Sequence, residues 1–178
     1  MSLLSTLIVA LSSYLIGSIP SSYIVGKLVK GIDLREHGSG NLGAANTFRI
    51  LGAKAAIPVL LFDVGKGFIA VRYFSALSGS DSFIYPLISA FFVVLGHNYS
   101  VFMKFSGGKG VSTTTGAFAA LAPLAVLFSF ALWIIVLLIS RIVSMASMIA
   151  ALFLPISIFI LNSVFEKNIH ISIQVLAI

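Results

Sequence analysis

The sequence predicts an all-α integral membrane protein: a helical bundle of six spans plus the start of a seventh, with its N-terminus outside. Three observations carry this reading. First, of 178 residues 59% are hydrophobic and 9% are charged, with a mean hydropathy of +1.13, whereas soluble domains carry about 25% charged residues. Second, the apolar residues fall in runs near the length a helical span needs, about 20 residues at 1.5 Å rise each. Third, the basic residues gather in short segments between those runs, more of them on one side than the other. The net charge of +6 is therefore a record of topology rather than of nucleic-acid binding, and the chain has no long soluble region to hold a duplex. There is no cysteine, which excludes disulfides, thiolate chemistry and Cys-ligated metals. Residues 1–178 read as a single transmembrane domain.

The first apolar run covers residues 3–26. It lacks a basic leader and is too long for the core of a signal peptide, so it reads as a retained span. Gly17, Pro20 and neighbouring serines near its end predict a kink. The polar segment 27–54 follows, with Lys27, Lys30, Arg35, Arg49 and Lys54. Its basic character places it in the cytoplasm and the N-terminus outside. The second span, 53–73, contains Asp63 and Lys66 on one face. Charges within a span are costly and pair toward the bundle interior. The pair either locks this helix to its neighbours or brings Lys66 near a site as positive potential. After an external loop at 75–82, the third span, 83–101, returns to the cytoplasm with His97 near its inner end.

Residues 111–140 hold no charge. At about 45 Å of helix they exceed a core of about 30 Å yet fall short of two full spans. Pro123 offers a break. The favoured reading is a hairpin of two short helices, against one long tilted helix, because it leaves eight basic residues inside and two outside. The sixth span covers 143–162. Glu166, Lys167, Asn168 and His170 form an external loop. The chain then ends eight residues into a new apolar run, so the sequence reads as truncated at its C-terminus.

Two polar, glycine-rich stretches interrupt this apolar chain. Gly107-Gly108-Lys109-Gly110 combines backbone freed by glycine, one cation and a helix start immediately after, where Ser112, Thr113, Thr114 and Thr115 supply hydroxyls. Free N–H groups and the helix dipole attract anions there. It is not a Walker A sequence, since position 103 is Met and Gly110 follows the lysine, so no nucleotide hydrolysis is expected. Gly38-Ser39-Gly40-Asn41-Leu42-Gly43 is a second nest of exposed N–H groups, followed at helical spacing by Asn46 and Arg49, and arginine holds phosphate in a bidentate fork. Alone, each stretch could be an interhelical turn or a solvated loop. Together they predict two anion sites on one membrane face. His97 reads as a structural residue first and a general base second, and no metal cage or Ser-His-Asp arrangement can be drawn from the sequence.

Gly38-Ser39-Gly40-Asn41-Leu42-Gly43-Ala44-Ala45-Asn46, then Arg49 and Gly52, then Gly96-His97 and Phe105-Ser106-Gly107-Gly108-Lys109-Gly110-Val111-Ser112-Thr113, resemble in order and spacing the bacterial acyl-phosphate:glycerol-3-phosphate acyltransferases. Arg141, Ser144 and Ser147 resemble a further element of that family. The resemblance implies a seven-helix enzyme of the inner membrane with a cytoplasmic active site. It would move a fatty acyl group from acyl phosphate to the sn-1 hydroxyl of glycerol 3-phosphate, the first acylation of phospholipid biosynthesis. No cofactor or metal is implied, the protein would be a monomer, and its surroundings are membrane lipid. By the same resemblance Ser39, Gly40 and Asn41 hold acyl phosphate, and Arg49, Lys109 and Ser144 hold glycerol 3-phosphate. Ser39, Arg49 and Lys109 are the candidate catalytic residues. Gly38, Gly40, Asn41, Gly43, Asn46, His97, Gly107, Gly108, Gly110, Thr113 and Ser144 are the candidate binding residues. The family usually has threonine at the position of Ala45, and it carries a third motif after its seventh helix that lies beyond Ile178. The competing reading is a small transporter of phosphate-bearing solutes, which would need a polar path across the membrane.

Overall fold

The computed structural model describes residues 2–165. The external loop predicted at Glu166–His170 and the apolar run after it lie outside these residues. Among the described residues eight α-helices occur in order: α1 (Leu3–Ser18), α2 (Ser21–Lys30), α3 (Ala44–Leu51), α4 (Ala53–Ile69), α5 (Ile84–Asn98), α6 (Val111–Leu121), α7 (Pro123–Ser140) and α8 (Val143–Phe165). A π turn (Ala70–Phe74) and a 3₁₀ turn (Ser75–Ser78) continue α4. Among the described residues there is no strand. Among the described residues, four stretches are long and apolar enough to cross a membrane: Leu3–Lys30, Ile84–Met103, Pro123–Ser140 and Val143–Ser163. The predicted second span corresponds to α4, whose 17 residues include Asp63 and Lys66. The 11 residues of α6 reach only about 16 Å.

The chain forms two compact units, Met1–Ala117 and Phe118–Ile178. In the first, α1 packs closely on α5 because each presents a glycine to the other's backbone. A Cβ on Gly17 would collide with the Val93 carbonyl, and one on Gly96 with the Tyr14 carbonyl. The same device joins α4 to the start of α6, through Gly67 against Thr113 and Gly116 against Val64. In lipid there is little hydrophobic drive between helices, so close backbone packing and polar contacts take its place. Ser13 Oγ and Ser89 Oγ lie 2.7 Å apart across α1 and α5, and Ser89 Oγ donates to the Ala70 carbonyl at 2.6 Å.

The kink predicted near Pro20 is a full break between α1 and α2. Proline has no N–H and interrupts the ladder, and an unpaired carbonyl inside a membrane is costly. Side chains from other elements fill that need. Ser100 Oγ donates to the Ser18 carbonyl at 2.5 Å, and Lys66 Nζ donates to the Ile19 carbonyl at 3.1 Å.

In the second unit, Trp133 Nε1 donates to Ser147 Oγ at 3.1 Å, which ties α7 to α8. Leu127, Leu138, Leu152 and Phe159 on these helices are exposed, an apolar surface that a soluble monomer would rarely present and that suits lipid. The 111–140 stretch is divided at Ala122, immediately before Pro123, into helices of 11 and 18 residues. The break falls where the sequence placed it, but the division is unequal. Pro123 starts α7, a position where its missing N–H costs nothing.

Candidate active site

The first glycine loop is shaped from within. Gly38 and Gly40 both take left-handed φ, +63° and +70°, which turns successive N–H groups outward and is unfavourable for any residue with a Cβ. Asn46, on the first turn of α3, reaches back under the loop and is 2% exposed. Its Oδ1 accepts the Ser39 N–H at 2.9 Å, and its Nδ2 donates to the Leu34 and His37 carbonyls at 3.1 and 3.0 Å. Asn46, predicted as a binding residue, thus has its amide engaged in holding the loop. Ser39 is exposed at the tip. Gly43 is the N-cap of α3 in extended conformation, with Asn41 Oδ1 close to it. Thr47 anchors α3 to α2 through Ser22, 2.8 Å between hydroxyls. Arg49 follows on the exposed side of α3.

The second loop rests on the end of α5. The Gly108 N–H donates to the His97 carbonyl at 3.0 Å. A Cβ on Gly107 would strike the His97 and Asn98 carbonyls, and one on Gly108 would strike His97 Nε2. Only glycine lets the chain lie this close. Gly110 (φ +78°) then turns into α6, whose first N–H groups point back toward the loop. Lys109 is exposed, whereas Thr113 is fully buried, with its hydroxyl lacking a partner among the described residues. Thr113 therefore lies beneath the accessible surface of the loop. Ser144 belongs to the second unit, exposed in the first turn of α8.

The two loops meet: the Leu42 N–H donates to the Gly107 carbonyl at 3.3 Å. A small cavity lies beneath them, lined by Ser18, Ile19, Pro20, Ser21, Leu42, Lys66, His97, Ser100 and Gly107. Electrostatically the face is positive. Arg49 and Lys109 make no ion pair with any described residue, whereas the nearby Arg35 is neutralised by Asp33 at 2.6 Å. That pairing, chiefly its side-chain hydrogen bond, holds the Asp33 carboxyl below the ordinary aspartate range and raises the Arg35 guanidinium.

Below the cavity, Asp63 and Lys66 form a buried ion pair, Nζ to Oδ1 at 2.9 Å. The pair ties α4 to the α1–α2 break, and Lys66 also lies in the cavity wall. Asp63 also accepts from Ser21 Oγ at 2.8 Å and faces His97 Nδ1 at 3.6 Å. The carboxylate beside His97 was not legible locally, because 34 positions separate the two residues. The signal that could have found it was the general rule that a charge within a span has a polar partner on a neighbouring helix.

An arrangement with two N–H nests, two unpaired cations and a floor of buried polar groups can hold two phosphate-bearing ligands side by side. Comparison with known proteins gives a consistent family. The family described as glycerol-3-phosphate acyltransferase matches residues 7–178. Glycerol-3-phosphate acyltransferase 2 of Moorella thermoacetica is 44% identical over 143 residues, 80% of this chain and 72% of that protein. The glycerol-3-phosphate acyltransferase of Bacillus subtilis is 46% identical over 153 residues, covering 86% and 78%. Among solved structures, the glycerol 3-phosphate form of PlsY (YgiH), an integral membrane glycerol 3-phosphate acyltransferase, superposes with a TM-score of 0.78 at 39% identity, covering 90% of this chain and 78% of that one. Its lysophosphatidic acid form gives 0.71 at 33% identity, covering 92% and 91%. With matches of this extent, and with both glycine loops inside the matched range, the chain belongs to the glycerol-3-phosphate acyltransferase family.

Proposed function

We infer that the two joined loops are the phosphate sites of an acyl transfer. The chain is a membrane acyltransferase that moves a fatty acyl group from acyl phosphate to the sn-1 hydroxyl of glycerol 3-phosphate, giving lysophosphatidic acid and inorganic phosphate. The observation that carries the site reading is the hydrogen bond from Leu42 to Gly107, which brings two anion nests into contact. Ser39, Gly40 and Asn41 take the phosphate of the acyl donor. Arg49 and Lys109 take that of glycerol 3-phosphate, with Gly107, Gly108 and the start of α6. Family membership disfavours the transporter reading.

Acyl phosphate is a mixed anhydride with a good leaving group, so no covalent enzyme intermediate is needed. The hydroxyl oxygen attacks the acyl carbon, the bond from that carbon to the phosphate oxygen breaks, and phosphate departs with the electron pair. The proton of the attacking hydroxyl ends on that phosphate, either directly or through His97. Side-by-side binding supplies up to about 7–11 kcal/mol by orientation. Lys109, Arg49 and the loop N–H groups stabilise charge as it shifts onto phosphate. The protein is a monomer with six spans and the start of a seventh, its N-terminus outside, the loops on the cytoplasmic face of the bacterial inner membrane, and the acyl tail in contact with lipid.

The test is to incubate purified protein with acyl phosphate and labelled glycerol 3-phosphate and measure lysolipid and phosphate. Ser39→Ala and Lys109→Ala are each expected to lower kcat/KM by about 100-fold or more with unchanged thermal unfolding. Near-native activity in Lys109→Ala would overturn the site assignment.

A further inference from the structure

Both glycine loops are fastened to one place, the break between α1 and α2. On one side, Ser22 Oγ lies 2.8 Å from Thr47 Oγ1, and Thr47 Oγ1 donates to the Gly43 carbonyl at 3.1 Å. A hydroxyl has one proton to give, so Ser22 is the donor in the first contact. The bonds thus run from the break to the end of the first loop. On another side, Ser100 Oγ donates to the Ser18 carbonyl at 2.5 Å. The Ser100 carbonyl in turn accepts the Phe105 N–H at 2.8 Å and the Met103 N–H at 3.1 Å, closing the turn that leads into the second loop. From α4, Lys66 donates to the Ile19 carbonyl and Asp63 accepts from Ser21, so the break is a fixed point.

The turn held by Ser100 is strained. Lys104 and Phe105 both take left-handed φ, +54° and +61°, which is unfavourable for residues that carry a Cβ. Such conformations persist where surrounding bonds over-determine them, and they gather at functional sites. Ser22 and Ser100 are 0% and 2% exposed, so each acts through the backbone it holds. Among the described residues one hydrogen bond joins the loops directly, Leu42 N–H to the Gly107 carbonyl at 3.3 Å. A bond of that length is a weak gauge of spacing, and a displacement of about 1 Å between reacting groups can cost about 100-fold in rate.

We propose that Ser22 and Ser100 are positioning residues that set the spacing of the two loops by fastening both to the α1–α2 break. This rests on the reading that the loops hold the two substrates. Neither side chain donates to or accepts from a nest N–H. Removing one hydroxyl therefore leaves both nests able to bind, but no longer in register for the attack.

Kinetics of the purified protein and its hydrogen–deuterium exchange in detergent test this. Ser22→Ala leaves Thr47 bonded to Gly43 and is expected to lower kcat by about 10- to 100-fold, with KM for both substrates near wild type. Ser100→Ala is expected to do the same, its turn still held on α1 by the Tyr14 hydroxyl at the Tyr99 carbonyl, 2.7 Å. Ser100→Thr, which keeps a hydroxyl, should recover activity. If the two serines set one spacing, Ser22→Ala/Ser100→Ala loses less than the product of the single losses. Losses that multiply, or a raised KM at unchanged kcat, would make each serine a local support of its own loop and overturn the proposal. The Leu42 N–H closes the ring of break and loops, so its exchange is expected to rise in both alanine variants while α4 keeps its protection. Unchanged exchange at Leu42 overturns the proposal whether or not acyl transfer occurs. Should Ser100→Ala not fold, Ser22→Ala alone decides, by its kcat against KM and by Leu42. If wild-type protein forms no lysolipid, the functional reading fails while the exchange still decides whether the break sets the loops.

Discussion

Asn46→Ala is expected to open the first glycine loop while leaving the helices folded. The side-chain amide of Asn46 makes three hydrogen bonds, from the Ser39 N–H and to the Leu34 and His37 carbonyls. A neutral hydrogen bond contributes about 1 kcal/mol net, and a buried group left unpaired costs about 1–3 kcal/mol. The Leu34 contact is buried and the other two are partly so, so water replaces some of the lost bonding and not all of it. The net loss works out to roughly 3 kcal/mol, confined to the loop. At 1.4 kcal/mol per tenfold, that raises local opening by about 100-fold. Hydrogen–deuterium exchange over residues 34–46 reads this directly, with the α1 peptide as an internal reference expected to hold its protection. Asn46→Asp sharpens the test. It keeps the size and one acceptor for Ser39 but sets carboxylate oxygen against two carbonyls, so it too should open the loop. Unchanged exchange over 34–46 in both variants would refute the claim that Asn46 shapes the nest.

Arg49→Lys is expected to raise KM for glycerol 3-phosphate by about tenfold with less effect on kcat, because a point charge cannot reproduce a bidentate fork; initial-rate kinetics against both substrates would show it. Gly67→Ala should lower thermal stability by about 1–3 kcal/mol, since the added methyl group meets the Thr113 backbone rather than a movable side chain; unchanged melting would contradict the close packing of α4 on α6. The Asp33–Arg35 contribution to stability follows pH. Because the folded carboxyl lies below its ordinary value, the contribution is complete above the unfolded value of about 3.9 and is lost as pH falls through the lowered folded value. Asp33→Asn should remove that acid-side slope from unfolding measured between about pH 5 and 2 and leave activity at neutral pH intact.

What was legible in the sequence followed from local chemistry. Runs of apolar residues can satisfy their backbone groups in lipid only as helices, so the class of fold was fixed by composition and run length. Gly38–Asn46 and Phe105–Thr113 stood out because no span tolerates such polarity, and their pattern pointed to phosphate. Pro20 and Pro123 marked breaks because proline cannot donate to the ladder, although Pro58 and Pro155 lie within the unbroken α4 and α8.

Only the tertiary structure decided which groups meet. Asn46 looked like a ligand from its place in the motif, but its amide turns inward to hold Leu34, His37 and Ser39. Thr113 carries a hydroxyl at a helix start, yet the close approach of Gly67 buries it. Lys66, His97 and Ser100 gained partners 34 to 82 positions away, on Ile19, Asp63 and Ser18 respectively. The physical reason is the same in each case. Periodicity and glycine content describe what one segment can do alone, whereas the pairing of a buried polar atom depends on which other segment packs against it. Glycine contacts between α1 and α5 and between α4 and α6 set that packing, and through it the joining of the two loops.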